Sequence, residues 1–191
     1  GGAFHLAMPK IFGVKLTGKL KKGVSAKDII LEVLRRETVK GGVGAIYEYF
    51  GEGVETLTVP QRATITNMGA ELGATTSVFP SDEKTKKFLE SMGRGNDWSE
   101  QKADEGAEYD KIIEINLDEL GSMAAQPHSP DAVATVKSLE GKPVTQVVIG
   151  SCTNSSLDDL ESVAAVVKGK HIAPGVEAGI VFCTQIVPSW L

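Results

Sequence analysis

Cysteine is scarce in this 191-residue chain: there are two, Cys152 and Cys183. They are not in C-x-x-C spacing, and an iron–sulfur cluster takes at least three thiolates, so by spacing alone this chain does not build one. Histidine is nearly as rare. His5, His128 and His171 are the full set, and none stands in a recognisable nucleophile-partner motif. Positive charge is also short: the formal net charge is −5, which argues against an electrostatic nucleic-acid surface. Lys15, Lys19, Lys21 and Lys22 cluster locally and read as a solvated face. No apolar run approaches the ~20 residues of a membrane span. There is no internal repeat, no low-complexity tract and no recognisable leader. Few cysteines and no leader lead to the expectation of a reducing, cytoplasmic setting.

What is present is a pattern of helices alternating with short apolar strands, which points to α/β architecture. Gly13 to Leu16 reads as a strand. Ser25 caps a helix, with Asp28 three residues on and Ile29, Ile30, Val33 and Leu34 on its inward face. Gly41, Gly42 and Gly44 precede Ala45 to Phe50 but lack the Gly-Lys-Ser/Thr of a phosphate loop, so they read as a turn. Thr64 to Leu72 reads as a helix on which Asn67 and Glu71, four residues apart, share a face. Gly69, Ala70, Gly73 and Ala74 would let a backbone or cofactor approach closely there. Ser81 or Asp82 caps a third helix, ended by Gly93, and Ile112 to Leu117 alternates as a strand. Asn96 to Tyr109 reads as a polar surface segment. The prolines in Gln126 to Asp131 mark the best domain boundary.

The most informative stretch is Val144 to Val167: a buried strand closing at Gly150, a turn carrying Cys152, and a helix capped by Ser155 or Ser156 with Asp158 or Asp159 completing a capping box. Leu157, Leu160, Val163, Ala164 and Val167 recur at helical spacing. A cysteine at such a junction is favoured as a thiolate. Three readings stand open on these residues: a half-buried structural cysteine, a catalytic nucleophile, and a metal or cluster ligand.

The wording of the turn narrows the choice. Gly150-Ser151-Cys152-Thr153-Asn154-Ser155, followed by Asp158-Asp159-Leu160, resembles the first cluster-cysteine motif of the aconitase family. Gly13-Val14-Lys15-Leu16-Thr17-Gly18 and Thr38 to Gly44 are similar to earlier blocks of that family, and Ala63 to Pro80 is similar to its signature run. Tyr109-Asp110, Glu114 to Leu117 and Pro127 to Asp131 continue in the family's order. The resemblance runs from about Pro9 to about Val181 and favours aconitases proper over isopropylmalate isomerases.

That resemblance implies an aconitase-like three-layer α/β domain over residues 10–127, the family's second domain. It implies an incomplete second α/β unit over 128–191, the opening of the third. The implied activity is that of a [4Fe-4S] hydro-lyase isomerising the tricarboxylates citrate and isocitrate through cis-aconitate. Cys152 is then one of three cluster thiolates, the others absent from this chain; Asn67 lies beside the cluster, and Glu71 acts near the iron-bound water. The chain is expected to be an internal fragment that does not retain the cluster and is inactive alone, with no membrane or nucleic-acid partner. Residues 1–8 match nothing. The tail from Phe182 departs from the family, so no ligand role is expected of Cys183. The alternatives are a homoaconitase-like hydro-lyase, a non-catalytic binding module, or a cysteine hydrolase built on the Cys152 turn.

Overall fold

Alternating apolar residues build the first sheet. The computed structural model describes residues 2–5 and 7–181; Cys183 and the divergent tail lie outside the described residues. Strand β1 (Lys10–Thr17) turns Val14 and Leu16 inward, fully buried. Strand β2 (Ala45–Phe50) alternates strictly, with Ala45, Tyr47 and Tyr49 inward. Strand β3 (Thr76–Val78) is short, and β4 (Lys111–Asn116) adds Ile113 and Ile115 to the buried set. All four are parallel, in the order β3-β2-β1-β4. The register sets Val14 beside Tyr49 on one side and Ile113 on the other, so the inward residues share one face. On the opposite face the side chains are half-buried or exposed, and Lys15 pairs with Glu114 at 3.3 Å.

Helix α1 (Ala26–Glu37) starts where expected. The Asp28 carboxylate accepts from the Ser25 amide at 2.7 Å and from its hydroxyl at 3.0 Å. Its other oxygen accepts from the Met123 amide at 2.7 Å, so the capping residue also fastens β5 (Met123–Ala125), which pairs antiparallel with β6 (Val133–Thr135). Ile29, Ile30, Val33 and Leu34 enter the core that α1 shares with the sheet. Burial alone would push Glu32 up, but the guanidinium groups of Arg35 and Arg36, each 2.7 Å away, outweigh it and hold the carboxyl below its ordinary range.

Helix α2 (Val59–Asn67) departs from the expected Thr64–Leu72. It starts earlier because Thr58 and Gln61 form a capping box, with Thr58 N–H donating to Gln61 Oε1 at 2.9 Å, and because Pro60 sits in the first turn. It ends earlier because the chain tightens into a 3₁₀ turn over Met68–Leu72, closed by Gly73 in the left-handed region at φ +72°. Helix α3 (Glu83–Ser91) is capped by Asp82, whose Oδ1 accepts from the Lys84 and Thr85 amides at 3.0 and 3.1 Å. The Ser81 hydroxyl instead donates to the Ser99 carbonyl.

By compactness the chain divides into Gly1–Ser138 and Leu139–Leu191. Residues beyond the proline-marked boundary still pack with the first unit: Val39 N–H donates to Asp131 at 3.1 Å, and Val133 lies against the core.

The second unit is a β–α–β element, with β7 (Gln146–Gly150) and β8 (Glu177–Val181) parallel and α4 (Leu157–Val167) between them in sequence. Many of its apolar residues are exposed, while Ile149, Leu160 and Val163 are half-buried. Val148 is 64% exposed, Val166 63% and Ile172 60%. Mixed helices and parallel strands make the chain α/β, as its sequence pattern indicates. Among the described residues no helix is long and apolar enough to cross a membrane.

Candidate functional site

In the first unit the stretch from Ala63 to Ser77 folds around an open pocket of about 460 Å³, lined among others by Thr66, Asn67, Ala70, Thr76 and Ser77. The pocket sits where the 3₁₀ turn leads into β3, the amino end of the strand. Ligands of open α/β sheets usually lie outside the carboxyl ends, so this is not a dinucleotide crevice. Small residues bring its walls together. A Cβ on Gly69 would fall against Ser77 Oγ, so a larger residue there would force that hydroxyl to turn. Ser77 Oγ is itself buried with no hydrogen-bond partner, a polar atom that is costly to leave so.

Of the two residues read from the sequence here, Asn67 lines the pocket and is exposed at the last turn of α2. Glu71 is exposed in the 3₁₀ turn and is not among the lining residues. The shared helical face assumed for the pair does not form. Four steps at three residues per turn rotate a side chain by roughly 120°, against about 40° in an α-helix.

The residue that sequence reasoning missed is Arg62. Although charged, it is only 4% exposed. Its Nη2 donates to Asp82 Oδ2 at 2.6 Å and to the Val54 carbonyl at 3.1 Å, and its Nη1 to Asp82 Oδ1 at 3.0 Å and the Pro80 carbonyl at 3.2 Å. The guanidinium also lies over Phe79, 5.9 Å from the ring centroid. Burial would raise the Asp82 carboxyl, but Arg62, helped by the Thr85 and Lys84 amides, outweighs burial and holds it below its ordinary value. The available signal was an arginine three residues before the inward Ile65, on the stripe where an apolar residue belongs.

In the second unit the cysteine turn is shaped locally. Gly150 has φ +144°, and a Cβ there would collide with the Val181 carbonyl on the paired strand. Ser151 follows in the left-handed region at φ +73°. Ser155, buried, donates from Oγ to the Ser151 carbonyl at 2.6 Å and closes the turn. Ser156, rather than Ser155, caps α4: the Asp159 amide donates to Ser156 Oγ at 3.2 Å, and the Ser156 amide to Asp159 Oδ2 at 3.1 Å. Cys152 is therefore four residues ahead of the cap. It is exposed, with Sγ 3.7 Å from Ser151 Oγ, which donates, and 3.9 Å from Thr153 Oγ1. Asn67 and Glu71 belong to the first unit and Cys152 to the second. Among the described residues no group of three or more His, Cys, Asp or Glu could hold a metal ion.

A parallel α/β unit with a small-residue pocket at an asparagine, and a β–α–β unit presenting an exposed thiol at its strand–helix turn, define the class: an α/β protein. The chain belongs to the aconitase family, since the profile of that family (aconitate hydratase) matches residues 1–141 and 133–190. The large subunit 2 of 3-isopropylmalate dehydratase from Archaeoglobus fulgidus is 44% identical over 174 residues, 91% of this chain and 42% of that protein. A probable mitochondrial aconitate hydratase of Caenorhabditis elegans is 45% identical over 194 residues, 94% of this chain. The mitochondrial homocitrate dehydratase of Saccharomyces cerevisiae is 43% identical over 186 residues. The chain spans about a quarter of the length of these last two and under half of the first.

These relatives correct one expectation. Several aconitate hydratases similar to this chain are mitochondrial, which overturns the cytoplasmic assignment. That assignment rested on few cysteines and a missing leader, and a chain that covers under half of its relatives carries no information on leaders.

Proposed function

We propose that this chain contributes one cluster thiolate and one wall of the substrate site to a hydro-lyase that interconverts citrate and isocitrate through cis-aconitate. The observation that carries the reading is the exposed thiol of Cys152, held in a turn that only Gly150 and a left-handed Ser151 can make, within a chain 45% identical to an aconitate hydratase. In the longer protein, residues 10–127 correspond to the second domain and 128–191 to the start of the third. Asn67, at the pocket wall, would offer its amide beside the cluster, and Glu71, an exposed carboxylate outside the pocket lining, would act near the bound water.

The residues present do not by themselves fit a four-iron cluster. One exposed thiolate is a third of the required set, and no step is derived through the group on this chain alone. When bound in the whole protein, such a cluster supplies Lewis acidity that makes a substrate hydroxyl a better leaving group. The part of this chain is to present Sγ from the Cys152 turn and to hold the Asn67 wall in place.

A second substrate class is favoured by a specific finding, the comparable identity of an isopropylmalate dehydratase and a homocitrate dehydratase. The test is a chimera in which residues 10–181 replace the matching segment of the Saccharomyces cerevisiae aconitate hydratase, reconstituted with iron and sulfide. The chimera is expected to hydrate cis-aconitate, and Cys152→Ser to abolish both cluster absorbance and activity, while the 191-residue chain alone is inert. Full activity in the Cys152→Ser chimera, or hydration by the chain alone, would sink the proposal.

A further inference from the structure

The pocket-lining residues all fall between Ala63 and Ser77, and the residues that flank this stretch, Arg62 on one side and Pro80 to Asp82 on the other, are bonded to each other. We propose that the Arg62–Asp82 pair is a clasp that closes this loop at its base and fixes Asn67, making Arg62 a positioning residue for the site. The significance for catalysis rests on the hydro-lyase reading; the clasp itself does not.

Four contacts converge on one guanidinium. Two reach the Asp82 carboxylate in a planar fork, one reaches the Pro80 carbonyl just after the loop, and one reaches the Val54 carbonyl ahead of α2. Lysine could satisfy these only in part, since a point charge cannot reproduce the fork. Only Arg62 Nε remains without a partner, so the group is buried for the sake of the other donors. Asp82 in turn caps α3, and the guanidinium lies over Phe79, whose ring stacks on buried Tyr49 at 4.5 Å. The base of the loop is thereby tied to the sheet. Within the loop Thr66, Asn67, Ala70, Thr75 and Thr76 are half-buried or exposed, while Ile65, Met68 and Leu72 anchor its inner side to the core, so the clasp secures the end that the core does not. Asn67 is five residues from the clasp along α2, so the clasp sets the position of the helix end that carries it.

The test is residue-resolved amide hydrogen exchange on the 191-residue chain, read without a cluster so that it stands or falls separately from the hydration assay. Arg62→Ala is expected to speed exchange of the amides from Thr66 to Ser77 by at least ~10-fold more than it speeds exchange in β1, β2 and α1. Arg62→Lys should recover part of the protection. Asp82→Asn keeps a capping oxygen for α3 but removes the charge, and should loosen the same loop with α3 amides unchanged; it also serves if Arg62→Ala fails to fold. Unchanged exchange from Thr66 to Ser77, or an even rise across the whole first unit, would overturn the clasp.

Discussion

The two units obey the same local rules and differ in what stands behind them. Both begin helices with a serine capping box, at Ser25 and at Ser156, and both pair strands in parallel through a helical crossover. Yet the buried hydrophobic residues, from Val14 to Leu120, all belong to the first unit, and the one buried residue described in the second is Ser155. Strand β8 is exposed along its whole length. Parallel sheets ordinarily have both faces covered, and a two-stranded pair is marginal alone. The contrast teaches that the Cys152 turn is set by backbone geometry and short hydrogen bonds, whereas the pocket wall around Asn67 depends on a packed core and a buried ion pair.

The contrast can be broken from the first unit downward. The largest effect is expected from Asp82→Ala, which leaves Arg62 buried and unpaired; breaking such pairs costs about 3–5 kcal/mol. Urea unfolding should show the loss, and a change under ~1 kcal/mol would refute it. Next comes Ile30→Ala in α1, where a fully buried side chain leaves a cavity and about 2–5 kcal/mol is lost by the same measurement.

Acid sharpens the comparison. Asp82 and Glu32 are both held below their ordinary range in the folded chain. A lowered folded value means that the contribution is complete above the unfolded values of about 4 and is lost as pH falls through the folded ones. The first unit should therefore lose stability below about pH 4, and Asp82→Asn should make that acid limb shallower. A limb unchanged by Asp82→Asn would contradict the pairing.

Effects in the second unit should be smaller. Ser156→Ala removes the α4 cap, worth about 1 kcal/mol, visible as faster amide exchange over residues 157–160. Val148→Ser, at a 64% exposed position, should change stability by no more than about 0.5 kcal/mol. A large loss there would mean that the residue is packed and the contrast false.

Much of this was legible in the sequence because it is local. Ser25 with Asp28, Asp82, Gly93 and the Ser156–Asp159 box are short-range signals, and each helix start read from them is where it was expected. The run Ala45 to Phe50 shows its alternation directly. The second helix begins six residues ahead of Ile65, at the Thr58-to-Gln61 box and Pro60, because those capping signals outweigh the apolar spacing from Ile65 to Leu72. The 3₁₀ turn after Asn67 then separated Glu71 from the pocket lining. Arg62 was passed over because its partner is 20 residues away and joins it only through the fold. The lack of a core behind β7 and β8 was not readable from their Val-rich strings, which look the same whether covered or bare.

On the proposed reading Cys152 is presented by a locally shaped turn and serves as a cluster ligand in a longer hydro-lyase. Thiol labelling tests it directly, using an uncharged maleimide with Cys183→Ser in the background. Fast labelling of Cys152 in the 191-residue chain, together with strong protection in the iron-loaded chimera, is the predicted result. Equal labelling of Cys152 in the chain and in the loaded chimera would contradict it.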